Sequence, residues 1–365
     1  MGIGKIRPAV LNMASYKPGK AAGQVEVEHG IADAIKLASN ENPWPPVTAV
    51  QDAIATSIAG VNRYGDNRAT EVRLALSAWL GIDADSITVG CGSSGLLQQL
   101  FMLYVDAGDE VLFPYPSFEV YPIFSKQFGA VPVTVPLVDY TIDLDAVAAA
   151  VTDRTKLIFL ATPNNPTGTS ISVAQIRELL DAIPSDVMVV IDEAYREFNA
   201  PEFGDPATLL ASHENIIITR TFSKAFGLAG LRSGYGLCAP ALVDELEKVR
   251  LPFSVNNLAQ AAVLAAIEHR AEALERVDAL IKERGRCAEA LRTAGVEIPE
   301  PQANFIFIPT GVETLEVARR MEQLGVVTRP FPDLGLRVTV GSAEENDRWL
   351  DAFLTSRQSE EQPRL

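Results

Sequence analysis

Cysteine is scarce in this chain. Cys91, Cys238 and Cys287 are the three in 365 residues, and their irregular spacing gives neither a disulfide framework nor a zinc pattern. Histidine is as sparse, and His29, His213 and His269 stand apart from every motif below, so they are read as structural or exposed. No apolar run reaches the length of a membrane span; the one around LLQQLFMLYV is interrupted by polar residues. The opening MGIGKIRPAV lacks the apolar core of a signal peptide, so a cytoplasmic location is the expectation. Blocks of positive charge are missing too. The net charge is −16, with Asp and Glu spread along the chain, which argues against nucleic acid and against membrane surfaces as partners. No repeat of useful period is present, and the closing SRQSEEQPRL reads as a solvated tail.

What is there suits a globular enzyme: 47% apolar and 21% charged residues, in a length that fits about two domains. Between Ser86 and Gly236, short β-branched runs alternate with helix-period segments. SITVG, EVLFPYP, AVPVTVPL, KLIFLA, VMVVID, NIIIT and GYGLC are the strand candidates. Continuous apolar strands separated by helices mean an α/β fold with a mostly parallel sheet covered on both faces. After Asn256 the pattern changes. One long helical stretch, from Leu258 to Gly295, leads to the strands NFIFIP and GLRVTV and to further helices, which reads as a smaller α+β domain. The expected division is an N-terminal arm (1–42) packing with the small domain, a large domain (43–255) and a small domain with its tail (256–365).

Ligands of open parallel sheets bind beyond the carboxyl ends of the strands. At those ends the sequence places CGSSG, then Ser117-Phe118, TPNNPTG with Asn165, Asp192-Glu193-Ala194-Tyr195, and Arg220-Thr221-Phe222-Ser223-Lys224. A phosphate-type loop, an aromatic ring, an amide, a carboxylate with a tyrosine and a serine–lysine pair suit pyridoxal phosphate. That cofactor needs an amine for its aldehyde, an acid beside its ring nitrogen and an anion site for its phosphate. Glycine and alanine around Lys224 let the backbone crowd a cofactor where larger side chains would collide.

Six motifs carry a family resemblance: SNENP (Ser39–Pro43), RYGD (Arg63–Asp66), PNNPTG (Pro163–Gly168), IDEAY (Ile191–Tyr195), TFSKAFGLAGLRSGY (Thr221–Tyr235) and LRVTVG (Leu336–Gly341). In this order and spacing the chain resembles class I/II aminotransferases of pyridoxal-phosphate fold type I, within the histidinol-phosphate aminotransferase-like family. The resemblance implies a large domain with a seven-stranded sheet. It implies that Lys224 forms the Schiff base and carries the proton, that Asp192 pairs with the pyridinium, and that Tyr195 and Asn165 bond the ring oxygen. Phe118 would stack on the ring, while Ser93, Ser94, Ser223 and Arg232 would hold the phosphate. Tyr64 would reach the partner's cofactor in a homodimer. Arg337 would grip the substrate carboxylate, and Tyr16 would lie over the substrate.

Taken singly, these residues have plainer readings. Lys224 suits a solvated helix start, Asp192 an N-cap, Ser93 and Ser94 helix caps, and Asn165 a turn. Arg232 and Arg337 suit a surface, Tyr64 a turn, Phe118 a core, and Tyr16 a stray aromatic of the arm. Their joint occurrence decides against that. The stretch Gly90–Gly95 is also literally G-x-G-x-x-G, the fingerprint of a nicotinamide-dependent dehydrogenase. However, the end of the next strand carries Ser117-Phe118 where that fold wants an acid, and Lys224, Asp192 and PNNPTG go unexplained. An inert pyridoxal-phosphate protein is the third reading, weakened by the presence of both Lys224 and Arg337.

The substrates expected are an amino acid and a 2-oxo acid, 2-oxoglutarate above all. Enzymes for histidinol phosphate typically show an acidic pair after the phosphate-loop glycine, and GCGSSGLLQQL has none. That departure resembles the actinobacterial aromatic amino acid aminotransferase branch, as do VNRYGDN and LPFSVNN. Aromatic amino acids are therefore the expected donors and histidinol phosphate the alternative. Arg329 fits a substrate phosphate, the distal carboxylate of glutamate, or a rim position that steers anions.

Overall fold

A computed structural model describes residues 4–11, 13 and 19–358. Tyr16 and residues 359–365 lie outside the described residues. In chain order the strands are β1 (Ile35–Lys36), β2 (Ile87–Cys91), β3 (Glu110–Tyr115), β4 (Val131–Pro136), β5 (Thr155–Ala161) and β6 (Met188–Asp192). They continue as β7 (Ile216–Thr221), β8 (Ser233–Cys238), β9 (Phe305–Pro309), β10 (Val326–Val327), β11 (Arg329–Phe331) and β12 (Gly335–Thr339). The seven strands expected from sequence form one sheet in the order β2-β8-β7-β6-β5-β3-β4. It is parallel throughout except at β8, which runs antiparallel to β2 and β7.

Why the central strands read as unbroken apolar runs is visible in β5 and β6. Leu157, Phe159, Met188 and Val190 enter one core, while Ile158, Leu160, Val189 and Ile191 enter the other. Successive side chains leave a strand on opposite faces, so a sheet covered on both sides needs an apolar residue at every position. β4 is an edge and reads differently: it is largely exposed and carries Pro132 and Pro136, residues that blunt an edge against further pairing. The first core includes an aromatic stack, with Tyr121 on Phe159 at 4.6 Å and Phe159 on Phe101 at 5.5 Å. Each such pair adds about 0.5–1.5 kcal/mol beyond area burial, which fixes the Tyr121 ring beneath the strand ends.

Beyond the sheet, the structure corrects the sequence reading at four places. The long helical stretch is two helices, Asn257–Glu268 and Arg270–Thr293, broken at His269, whose backbone (φ −101°, ψ 25°) has left the helical region. The first helix, capped by Asn256 Oδ1 accepting from Ala259 N at 2.9 Å, packs on the helices Thr48–Ser57 and Thr70–Leu80. β11 was not expected and adds to the antiparallel sheet β11-β12-β9. Nor was the parallel pair β1–β10, which ties Ile35–Lys36 to Val326–Val327. The last helix, Ala343–Gln358, runs into the segment read as tail.

One contact holds the front of the sheet to its first helix. A Cβ on Gly234 of β8 would lie 2.5 Å from Ser93 N and 2.8 Å from Arg220 O, with no positive φ involved. Gly234→Ala is therefore expected to push the start of helix Gly92–Tyr104 off the strand, costing about 1–3 kcal/mol as overpacking does. Urea denaturation checks it against Gly230→Ala, where nothing lies within 4 Å. Equal stability of the two variants would contradict the close approach.

Candidate active site

Parallel register brings the ends of β5, β6 and β7 level, with Asp192 opposite both Ala161 and Thr219. A cavity of about 1140 Å³, counting its open mouth, sits at these ends. Ser93, Ser94, Phe118, Asn165, Asp192, Tyr195, Ser223, Lys224, Arg232, Arg329 and Arg337 all line it. Tyr64 does not: it is 82% exposed and stacks on Phe253 with ring centres 4.5 Å apart. Tyr16 lies outside the described residues.

The motif IDEAY offers two adjacent acids, and strand alternation separates their roles. Glu193 is turned to a buried ion pair, its Oε2 2.7 Å from an Arg220 nitrogen, and Arg220 also meets Asp205 at 2.6 Å. Asp192 faces the cavity. Tyr121 OH donates to its Oδ2 at 2.8 Å, while Oδ1 is buried with no hydrogen-bond partner. Burial pushes the Asp192 carboxyl up to about 6, against the opposing pull of the Tyr121 hydrogen bond.

Lys224 reaches in from the turn after β7, with Nζ donating to Ser39 O at 3.1 Å and lying 5.8 Å from the Tyr195 ring centre. Burial first, then the Arg337 charge and more weakly Arg232, lower its ammonium to about 7 against a pull from Glu41. An amine so placed is substantially neutral, hence nucleophilic, near neutral pH. Tyr195 OH accepts from Asn40 Nδ2 at 2.8 Å, and the ring stands edge-on to Phe305 at 5.0 Å.

The anion end is built where helix Gly92–Tyr104 begins. A helix N-terminus presents unpaired N–H groups and partial positive charge. Arg232 joins it from a left-handed backbone conformation (φ 59°), a strained choice for a side-chain-bearing residue. Its Nη1 donates to Ala229 O at 3.1 Å and lies 3.4 Å from Ser223 Oγ. A Cβ on Gly92 would come within 2.6 Å of Arg232 Nη2, so glycine keeps the guanidinium against the helix start.

Within PNNPTG the two asparagines divide as the acids do. Asn164 shapes the loop, accepting from Ser117 Oγ at 3.0 Å and donating to Thr167 Oγ1 at 2.9 Å. Asn165 faces the cavity, where its Oδ1 accepts from Arg337 Nη1 at 2.6 Å. Arg337 Nη2 donates to Ala38 O at 2.6 Å, and its guanidinium lies 5.5 Å from the Phe305 ring. At the mouth, Arg329 forms an ion pair with Glu119.

Sequence reasoning missed Tyr121, Asn40 and Glu119 as site residues. Asn40 lies inside SNENP and could have been marked there. Tyr121 and Glu119 flank Phe118 closely, but nothing in the string says which of them turns inward.

An amine, a buried acid with an orphaned oxygen and an anion cradle lie around one cavity at the ends of a mostly parallel sheet. A sequence profile described as aminotransferase class I and II matches residues 32–353, and the chain belongs to that family. It is 44% identical over 353 residues to an aromatic amino acid aminotransferase of Rhodococcus jostii (strain RHA1), covering 96% of each. It is 45% identical over 351 residues to a protein of the same name from Streptomyces avermitilis, covering 95% of this chain and 96% of that one. Histidinol-phosphate aminotransferase from Sinorhizobium meliloti, solved in complex with pyridoxal-5'-phosphate, matches with a TM-score of 0.90 at 27% identity, over 98% of this chain and 99% of that one.

The protein is thus an aminotransferase enzyme with pyridoxal 5'-phosphate as cofactor. The residues present fit that group: the orphaned Asp192 Oδ1 awaits a donor, and the Arg232 cradle awaits an anion. The dehydrogenase and inert-protein readings fall with the family. Topology also speaks against the dehydrogenase, because the Gly90–Gly95 loop follows a strand paired only to antiparallel β8 among the described residues. A dinucleotide fingerprint sits between adjacent parallel strands. No helix among the described residues is long and apolar enough to cross a membrane.

Proposed function

We propose that the enzyme moves the amino group of an aromatic amino acid to 2-oxoglutarate. The observation that carries this is Phe331, which lines the same cavity as Arg337 with its ring centre 5.9 Å from the Arg337 guanidinium. An aromatic side chain held by its α-carboxylate at Arg337 has that apolar ring beside it. The two relatives named for aromatic amino acids, aligned over nearly the whole chain, support the same reading.

Pyridoxal 5'-phosphate, when bound, supplies an aldehyde that captures the amino group and a ring that draws electrons from the substrate Cα. The chain's residues divide the remaining work. Lys224 holds the cofactor through its Nζ and then moves the proton at the substrate Cα, a task suited to an amine whose pKa is about 7. Asp192 would pair with the ring nitrogen, and Tyr121, donating to its Oδ2, keeps that carboxylate aimed. Tyr195 and Asn165 would bond the ring oxygen, and Phe118 would lie against the ring. The N–H groups of Ser93 and Ser94, with Ser223 and Arg232, hold the phosphate. Arg337 binds the α-carboxylate as a fork.

In this reading the working unit is a homodimer in which Tyr64 serves the partner's phosphate site. Its 82% exposure and its stacking on Phe253 leave it available for that contact. Ile58, Val61 and Leu251 are exposed apolar residues nearby in sequence to the two rings.

Histidinol phosphate is the second reading, favoured by Arg329 at the cavity and by the named Sinorhizobium meliloti relative. A paired steady-state assay separates the two. With 2-oxoglutarate as acceptor, phenylalanine is expected to show at least about tenfold higher kcat/KM than histidinol phosphate, the discrimination about 1.4 kcal/mol provides. The reverse order would hand the site to histidinol phosphate.

A further inference from the structure

We infer that Asn40 is a positioning residue that makes the Tyr195 hydroxyl a hydrogen-bond donor toward the cofactor. The inference deepens the function proposed above and rests on its assignment of Tyr195 to the ring oxygen. It does not depend on which amino acid the enzyme takes.

Asn40 and Tyr195 are both buried, and the Asn40 amide lies 2.8 Å from the Tyr195 hydroxyl. Which end of the amide faces the tyrosine is decided on its other side. The Asn40 backbone N–H can only donate, and it donates to Thr339 Oγ1 at 2.9 Å. That hydroxyl keeps its own proton to give, and Asn40 Oδ1 accepts it at 3.2 Å. With Oδ1 engaged there, Nδ2 is the end that meets Tyr195. A phenol that accepts from an amide keeps its O–H for another partner, and Tyr195 lines the cavity. Turned the other way, the amide oxygen would take the phenol proton for itself.

The backbone of Asn40 is held too. Its φ is 53°, in the left-handed region that asparagine enters more readily than most residues. Asn304, just before β9, donates from Nδ2 to Asn40 O at 3.1 Å, while Thr339, at the end of β12, accepts from Asn40 N. The neighbours of Asn40 reach the same site. Ser39 O accepts from Lys224 Nζ, and Asn42 Nδ2 donates to Ala225 O at 3.1 Å. The amide is therefore aimed within the protein itself, and a donor fixed in advance costs no reorganisation when charge gathers on the oxygen it serves. A donor at the ring oxygen favours its anionic form and lowers the pKa of the proton linked to it.

The test follows the visible absorbance of the cofactor-loaded enzyme as a function of pH, without substrate. Three forms are compared with the parent: Asn40→Gly, which tolerates the left-handed backbone and removes the amide, Tyr195→Phe, and the double variant. Both single changes are expected to raise the midpoint of the spectral transition, Tyr195→Phe by about one pH unit and Asn40→Gly by about 0.5–1 unit, the scale of one hydrogen bond. In the Tyr195→Phe background, Asn40→Gly should add less than about 0.3 unit, because the amide acts only through the hydroxyl. Thr339→Val nearly preserves the side-chain shape but frees the Asn40 amide to turn. It should raise the midpoint by less than Asn40→Gly does and add nothing in the Tyr195→Phe background, so it carries the test if Asn40→Gly does not fold. A midpoint unmoved by these changes while Tyr195→Phe shifts it, or a shift that persists in the Tyr195→Phe background, overturns the assignment of Asn40 alone. No shift in Tyr195→Phe removes the tyrosine from the ring oxygen, and the role of Asn40 falls with it.

Discussion

Lys224→Ala lowers transamination by at least about 10⁴-fold, because one side chain supplies both the covalent attachment and the proton transfer. Rate and fold separate in this variant. In the cofactor-free protein, Lys224 is held down to about 7 from its ordinary 10.5, chiefly by burial. A lysine with a depressed folded pKa binds fewer protons folded than unfolded between those values, so its contribution to stability improves as pH rises through that window. Alanine removes this liability. The cofactor-free variant should therefore be at least as stable as the parent at pH 7, with the difference shrinking toward pH 10.5. Borohydride treatment of the loaded parent followed by peptide mass analysis should place the cofactor on Lys224, and the variant should carry none. Appreciable turnover by the variant, or label on another lysine, would remove Lys224 from the mechanism.

How much of this was legible in the string depends on how local the signal is. The central strands of the large sheet were readable because a sheet buried on both faces demands an apolar residue at each position, as Leu157–Ala161 and Met188–Ile191 provide. The strand ends were readable for the same reason, and with them Asp192, Asn165 and Lys224. Short elements were not: β1 and β10 have two residues each and β11 three, one of them Pro330, too few to establish a period. The break at His269 has no glycine or proline to announce it. Side-chain pairings across the chain are the least visible. Tyr121 meets Asp192 over 71 positions, Asn40 meets Tyr195 over 155, and Glu119 meets Arg329 over 210. Only the folded chain brings such partners together.

Asp192→Asn should move stability and function in opposite directions. In the cofactor-free protein the Asp192 carboxylate is buried with Tyr121 on one oxygen and nothing on the other, and its pKa is raised from 3.8 to about 6. A carboxyl raised on folding stabilises fully below its unfolded pKa and loses that contribution as pH climbs through the folded one. At pH 8 the ionised form thus costs the cofactor-free protein about 3 kcal/mol, from roughly two units at 1.36 kcal/mol each. Asparagine has nearly the same shape and no charge, so the variant should gain up to that amount at pH 8 and nothing below about pH 4. The loaded enzyme should suffer instead. Without an anion against the ring nitrogen, kcat is expected to fall about 10²–10³-fold, the usual loss when one preorganised electrostatic partner is removed. Chemical denaturation of the cofactor-free forms across pH, beside steady-state rates of the loaded ones, checks both halves. A variant less stable at pH 8, or as active as the parent, would mean that the carboxylate is satisfied by the protein itself and does not await the ring.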